Sequence, residues 1–262
     1  MKLAYVGLDL FYPALEALVD LGCQVMELFT CPVDNEFEFN TRLVTFAEER
    51  GIPCHSQPIK PEDIQRLKER GCQLIVSAAY YYKIPTEHDV PMVNIHPALL
   101  PIGRGAWPGP VTILKGLQRS GVTFHKLTAE FDVGDIILQQ GFDVAADENL
   151  ETLTEKQCRL LPGMIRELTA DFDRLYAAAR PQGQGEYWKN PQNTDRTIDS
   201  TMLPRQIDLI LRAFYGFECF VNTPQGSWAV LRGQYVPNGI AGENAIAVNG
   251  GTIQAQKMRP LT

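Results

Sequence analysis

Apolar runs and amphipathic segments alternate along the first two thirds of the chain. An apolar run at residues 2–7, an amphipathic segment at 13–22 and a second apolar run at 23–30 predict a strand, a helix and a strand. The same pattern predicts helices at 41–50, 61–70 and 109–117, and strands at 72–79, 92–95, 122–127 and 136–144. This alternation predicts an α/β fold with a doubly wound, mostly parallel sheet.

Local signals refine the ends of these elements. Asn40 is the predicted N-cap of the helix at 41–50, and Gly51 ends that helix. Apolar side chains recur near helical spacing over residues 150–179, where Pro162 and Gly163 are expected to kink or split the helix.

The last part of the chain has a different character. Residues 182–193, QGQGEYWKNPQN, are rich in Gly, Gln and Asn, which predicts an interdomain linker. One amphipathic helix at 204–214 precedes short β segments, which predict a small barrel or paired hairpins. The expected domains are an α/β domain at residues 1–185 and a small helix plus β-rich domain at 186–262.

Charge and composition disfavour several classes of protein. The chain has 24 basic and 31 acidic residues, a net charge of −7, and lacks the basic surplus that a nucleic-acid partner requires. It contains no run of about 18 apolar residues, and its first residues, MKLAYVGLD, do not form a cleavable signal. The expected location is therefore cytoplasmic, without a membrane partner, and the 6 cysteines are expected to be reduced.

Candidate chemistry is concentrated around residues 93–109, VNIHPALLPIGRGAWPG. Asn94 and His96 are two residues apart on a predicted strand, so their side chains share a face, and a Pro/Gly loop follows. An amide can stabilise an oxyanion, and an imidazole can exchange a proton near neutral pH. Asp132 lies in a predicted turn, FDVGD, from which it could orient His96. Taken alone, these residues fit turn and capping roles as well as catalysis.

Other chemistries have weaker support. Gly7 is followed by Leu-Asp-Leu-Phe, without the G-x-G-x-x-G of dinucleotide sites, and no G-x-S-x-G elbow occurs. The other histidines are His55, His88 and His125. None of them has a metal-ligand spacing with His96, so no metal is expected.

The motif NIHPALLP, the pair Arg104-Gly105 and the stretch GVTFHKLTAEFDVGDIIL at 121–138 resemble the 10-formyltetrahydrofolate-dependent formyltransferase family. The resemblance extends over about residues 1–180 and continues more weakly beyond them. It implies a Rossmann-like formyltransferase fold and 10-formyltetrahydrofolate as co-substrate. It also implies that Asn94 and protonated His96 stabilise the oxyanion and that Asp132 completes the catalytic set. The cofactor-binding residues that it implies are Ala79, Tyr80, Met92 and Glu130.

The sequence leaves the acceptor open. Length, charge and the short second domain favour a small amine, with a nucleotide-linked amino sugar as the expected substrate. The alternatives are methionyl-tRNA, a hydroxylamine such as a siderophore precursor, and water, as in formyltetrahydrofolate hydrolase. A folate or sugar sensor without catalysis is the non-enzyme alternative. The β segments after residue 217 are a candidate contact for a homodimer.

Overall fold

The computed structural model describes residues 1–32, 40–86, 89–240, 242 and 244–261. The chain divides into two compact units. The first comprises Met1–Ala106, Ser120–Phe142 and Glu155–Tyr187, and the second comprises Trp107–Arg119, Asp143–Thr154 and Trp188–Thr262. Two internal segments therefore group with the C-terminal residues instead of with the α/β unit. The division into a domain at residues 1–185 and a second domain at residues 186–262 stays a prediction.

A mostly parallel sheet forms the centre of the first unit, as predicted. Its strands are β1 (Lys2–Gly7), β2 (Gln24–Phe29), β3 (Cys54–His55), β4 (Leu74–Ala78), β5 (Met92–His96), β7 (Arg119–Lys126) and β8 (Ile136–Asp143). Their order is β3-β2-β1-β4-β5-β7-β8. The strand pairs from β3 to β5 are parallel, whereas β5 and β7 are antiparallel.

Helices cover the sheet, because alternate strand residues are apolar on both faces. The helices are α1 (Tyr12–Asp20), α2 (Thr41–Arg50), α3 (Pro61–Glu69), α5 (Leu150–Ala170) and α6 (Phe172–Ala177). Leu3 and Tyr5 belong to the core cluster that includes residues of α1, α2 and α5. Ala4 and Val6 belong to the opposite cluster, which includes residues of α3.

Asn40 and Gly51 flank α2 as its N-cap and C-cap residues, as predicted. Asn40 does not cap α2 with its side chain, which instead donates to the carbonyl of Cys31. The carboxylate of Asp9 takes that role by accepting hydrogen bonds from the backbone N–H groups of Arg42 and Leu43. Pro162 does not split α5, contrary to that part of the prediction: the helix runs through this residue and ends at Ala170, before α6 begins at Phe172.

The second unit is built on a β-rich core with two helices, α4 (Pro108–Leu114) and α7 (Pro204–Ala213). Its strands are β10 (Thr197–Asp199), β11 (Cys219–Thr223), β12 (Gly226–Pro237), β13 (Ala245–Val248) and β14 (Gly251–Pro260). They lie in the order β10-β11-β12-β14-β13, and the pairs from β11 to β13 are antiparallel. The hairpins confirm the predicted β-rich C-terminal part.

None of the helices in the described residues is long and apolar enough to cross a membrane.

The predicted linker at residues 182–193 is partly built into the first unit. Strand β9 (Glu186–Tyr187) pairs in parallel with β6 (Ile102–Arg104), and Glu186 N–H donates to the carbonyl of Pro101. The boundary between the two compact units falls after Tyr187, within the predicted linker, and a linker role for these residues stays a prediction. Their Gly and Gln content serves close packing and side-chain hydrogen bonds near the loop after His96.

Candidate active site

Asn94 and His96 lie on the same face of strand β5, which pairs in parallel with β4. The residue opposite Asn94 on the antiparallel strand β7 is His125, and Ser77 of β4 lies on its other side. His96 is 3% exposed, whereas Asn94 is half-buried and therefore retains access to solvent. The sequence prediction that these two side chains share a face agrees with the strand geometry.

The loop after His96 turns back and binds the histidine. Gly103 and Gly105 have φ angles of 84° and 125°, a region that favours glycine. This path brings the carbonyl oxygen of Gly103 to 2.7 Å from His96 Nε2. Because a carbonyl only accepts, His96 Nε2 carries the hydrogen, and in the neutral ring Nδ1 keeps a lone pair.

Asp132 reaches the same place from the turn between β7 and β8. Its Oδ1 lies 3.5 Å from His96 Nδ1, and its Oδ2 accepts a hydrogen bond of 2.9 Å from the N–H of Gly105. The φ angle of Asp132 is 56°, which Asp tolerates better than most residues. Its carbonyl accepts a hydrogen bond from Gln182 Nε2 at 2.8 Å, so the segment after α6 helps to hold this turn.

His125 belongs to the site, although sequence reasoning gave it no role there. Its Nδ1 donates to the carbonyl of Lys126 at 2.9 Å, which leaves Nε2 as the acceptor in the neutral ring. That Nε2 lies 3.1 Å from Asn94 Nδ2 and 3.4 Å from Asp132 Oδ1. His125 Nε2 therefore accepts from the amide and lies beside the carboxylate without donating to it in the neutral ring. His88 lies outside the described residues.

The charge states follow from burial and from the neighbours. Burial lowers the pKa of His96 below its ordinary value, and the opposing attraction of Asp132 does not cancel this effect. For Asp132, burial would raise the pKa, but His96, His125 and the Gly105 N–H outweigh burial and lower it. At neutral pH the site therefore contains a neutral His96 beside an ionised Asp132.

The four predicted cofactor-binding residues occupy different environments. Ala79 follows β4 with a φ of 58°, and the Tyr80 hydroxyl accepts a hydrogen bond from the Ile59 N–H at 3.1 Å. Met92 is 3% exposed, so it forms part of the core and not of an open surface. Glu130 is exposed. Their role in cofactor binding stays a prediction.

The loop after β4 suits a flat heterocycle. Within the described part of the chain, the backbone groups of residues 81–83 form no hydrogen bonds with other backbone groups. The rings of Tyr81 and Tyr82 are 53% and 37% exposed. Backbone groups that pair with no other described backbone group, beside exposed aromatic rings, fit the polar edge and apolar face of a pterin.

An α/β unit whose strand end combines an amide, an imidazole and a carboxylate has the elements needed for acyl-type transfer. Residues 40–163 match the family described as formyl transferase. The chain is 30% identical over 230 residues to methionyl-tRNA formyltransferase from Nitrosospira multiformis, covering 82% of this chain and 73% of that enzyme. The chain therefore belongs to the formyl transferase family.

A second relative extends beyond the region of similarity. Methionyl-tRNA formyltransferase from Ehrlichia ruminantium is 32% identical over 167 residues, which are 62% of this chain and 55% of that enzyme. The chain thus spans little more than half the length of this relative.

Solved structures show that the fold is shared. A sugar N-formyltransferase from Shewanella sp FDAARGOS_354 superposes with a TM-score of 0.70 and 18% identity, over 88% of this chain and 96% of that one. HypX from Aquifex aeolicus, in complex with tetrahydrofolic acid, superposes with a TM-score of 0.75 and 15% identity. That match covers 100% of this chain and 44% of HypX.

Proposed function

We propose that this chain transfers a formyl group from 10-formyltetrahydrofolate to the amino group of a small molecule, a nucleotide-linked amino sugar. The observation that carries the proposal is the convergence of Asn94, His96 and Asp132 on one strand end. Family membership supports the formyl donor, and the exposed loop at residues 81–83 supports a pterin site beside Asn94.

The hydrogen-bond pattern assigns a role to each side chain. His96 donates its Nε2 hydrogen to Gly103, so its Nδ1 lone pair is the atom that accepts a proton from the attacking amine. Asp132, 3.5 Å away, stabilises the imidazolium that results. This differs from the expectation of a protonated His96, because burial favours the neutral ring before the reaction.

Asn94 supplies the neutral donor. One hydrogen of its Nδ2 points to His125 Nε2, and the second is available to the formyl oxygen as negative charge develops there. The folate, when bound, supplies the activated formyl group. His96 can then return its proton to the departing folate nitrogen, and the polypeptide itself forms no covalent bond.

The surroundings of Asp132 support a nucleotide-bearing acceptor. Phe131 and Tyr187 are 63% and 59% exposed, which is unusual for aromatic rings and provides surfaces for stacking with a base. Tyr187 pairs with Arg104, which precedes the Gly105 that binds Asp132. Arg104 uses Nε and Nη2 for Gln182 and Gly183, and a guanidinium has five N–H donors, so others remain for a phosphate.

A tRNA acceptor is the second candidate, and the named relatives favour it. The relative from Nitrosospira multiformis is a methionyl-tRNA formyltransferase, and the similarity extends over 82% of this chain. The net charge of −7 opposes this candidate, because phosphate contacts require a basic surface.

An amine panel tests the proposal. The protein is mixed with 10-formyltetrahydrofolate and with nucleotide-linked amino sugars, free amino sugars, hydroxylamines or methionyl-tRNA, and tetrahydrofolate release and N-formyl product are measured. Product with an amino sugar nucleotide alone supports the proposal. Product with methionyl-tRNA supports the second candidate, release with water alone indicates a hydrolase, and no release with any acceptor contradicts catalysis.

A further inference from the structure

Three electron-pair donors converge inside the site. They are His96 Nδ1, His125 Nε2 and Asp132 Oδ1, and the carboxylate oxygen lies 3.5 Å and 3.4 Å from the two nitrogens. Each imidazole donates its other N–H to a backbone carbonyl, so in the neutral rings both inward nitrogens carry lone pairs. Three electron-pair donors at this distance repel one another unless a positive charge lies between them.

The neighbouring hydrogen-bond donors among the described residues relieve this repulsion only in part. Asn94 Nδ2 donates to His125 Nε2, and the Gly105 N–H donates to the other carboxylate oxygen, Oδ2. The lone pair of His96 Nδ1 faces Asp132 without a donor between them in the neutral ring. The arrangement therefore favours a cation shared by the three residues.

The geometry is close to that of a transition-metal site. One ligand atom from each of the three residues lies within 4.8 Å of the others. Zn–N and Zn–O bonds of about 2.0–2.2 Å place tetrahedral ligand atoms about 3.3–3.5 Å apart. Two edges already have this length, and the third, between the two histidine nitrogens, is no longer than 4.8 Å.

The hydrogen bonds that hold the two histidines also match those found at metal sites. Metal-binding histidines usually donate their second N–H to a carbonyl or carboxylate, as His96 and His125 both do here. Two imidazoles and one carboxylate suit Zn²⁺ and similar ions, whereas Mg²⁺ prefers oxygen ligands. The ligands come from two strands and a turn, which is why their spacing along the chain does not resemble a metal motif.

We propose that His96, His125 and Asp132 bind one divalent transition-metal ion, with Zn²⁺ as the expected ion, and that the bound ion inhibits formyl transfer. The ion occupies the lone pair that His96 uses as a base and displaces the Asn94 hydrogen bond from His125. It is an inhibitor and not a cofactor. Binding stands independently of the proposed function, whereas inhibition rests on it.

Cobalt titration of the full-length protein tests binding without any enzyme assay. Tetrahedral Co²⁺ bound through nitrogen and oxygen ligands absorbs strongly in the visible region, and Zn²⁺ should displace it. We expect one equivalent per chain and an affinity at least about tenfold lower in His125→Gln and Asp132→Asn, a loss expected even for groups behind a metal ligand.

His55→Gln is the matched control, because His55 lies next to Glu27 at 3.1 Å and belongs to a separate ion-pair cluster. It should retain the wild-type affinity. Equal affinity in His125→Gln and wild type overturns the site, as does a weak octahedral cobalt spectrum in the wild type. If a variant does not fold, the wild-type spectrum and its displacement by Zn²⁺ still decide the question.

Inhibition is measured separately. Zn²⁺ should inhibit formyl transfer with an inhibition constant equal to its dissociation constant, and EDTA should restore the rate. Zn²⁺ binding with an unchanged rate overturns the inhibitory role. Failure to detect formyl transfer with any acceptor counts against the proposed function and leaves the cobalt result intact.

Discussion

Asn94 and His125 lie directly opposite each other on the antiparallel strands β5 and β7, with Asn94 Nδ2 3.1 Å from His125 Nε2. Because His125 donates its Nδ1 hydrogen to the carbonyl of Lys126, its Nε2 accepts from the amide. This relationship fixes which end of the Asn94 amide presents hydrogens to a substrate.

The first prediction concerns this orientation. His125→Met removes the acceptor and should lower kcat by about tenfold, less than the 10²–10³-fold cost of losing an oxyanion donor itself. His125→Gln places a carboxamide oxygen near the former Nε2 and should retain more activity. Steady-state kinetics with both substrates decide this, and equal losses in the two variants would show that the hydrogen bond does not position Asn94.

A second prediction concerns the turn that carries Asp132. A Cβ at Gly134 would overlap the carbonyl oxygen of Lys126, so Gly134→Ala must move the turn. We expect a loss of about 1–3 kcal/mol in the free energy of unfolding and a lower kcat, measured by urea unfolding and kinetics.

Gly163→Ala is the matched control for this substitution. Gly163 lies inside α5, and a Cβ there meets nothing within 4 Å. The control should gain about 0.5–1 kcal/mol in the free energy of unfolding because alanine favours the helix. Similar stability changes in Gly134→Ala and Gly163→Ala would contradict this account of the turn.

Much of the geometry of the candidate site could be predicted from sequence, for a local reason. Asn94 and His96 are two residues apart on an apolar strand, and strand geometry alone puts them on one face. His125 was missed because its partners are distant in sequence. Its role follows from the antiparallel register of β5 and β7, which hydrophobic pattern alone does not specify.

The contacts of residues 182–187 could not be predicted for a related reason. Their Gly and Gln content resembles that of a linker, and nothing in the sequence indicates that Gln182 donates to the carbonyls of Asp132 and Gly134. The capping of α2 also depends on a residue that is distant in sequence. Asp9, which caps α2, lies more than 30 residues before the N–H groups that it accepts from.

The third prediction is a pH dependence of stability. Burial would raise the pKa of Glu27, but hydrogen bonds from Arg66 and His55 outweigh burial and lower it below its ordinary value of 4.5. The ionised form is therefore favoured in the folded state. Its contribution to stability is present above pH 4.5 and is lost as the pH falls through the lowered folded-state pKa.

Glu27→Gln should therefore lower the free energy of unfolding at pH 7 by about 1–3 kcal/mol, and its difference from wild type should shrink on acidification below pH 4.5. Thermal unfolding across pH measures this. Glu49→Gln, at a side chain that is 67% exposed, is the control and should change little. A constant difference at all pH values would show that Glu27 ionisation is not involved.

The fourth prediction concerns the acceptor. Tyr187 is 59% exposed on β9. If it stacks with a base, Tyr187→Ala should raise the KM for the acceptor about threefold to tenfold, the range expected for one aromatic contact. Tyr187→Phe keeps the ring and should retain the wild-type KM. An unchanged acceptor KM in Tyr187→Ala would remove this residue from the acceptor site.

The role of His96 is tested most directly by comparing the wild type with His96→Ala. Two quantities are measured: the N-formyl product formed from 10-formyltetrahydrofolate and the accepted amine, and the affinity for tetrahydrofolate. His96 Nδ1 is the proposed proton acceptor beside Asp132. The proposed role of His96 predicts a rate reduced by about 10²–10⁴-fold, the usual contribution of a general base, with folate affinity retained. An unchanged rate in His96→Ala would contradict it.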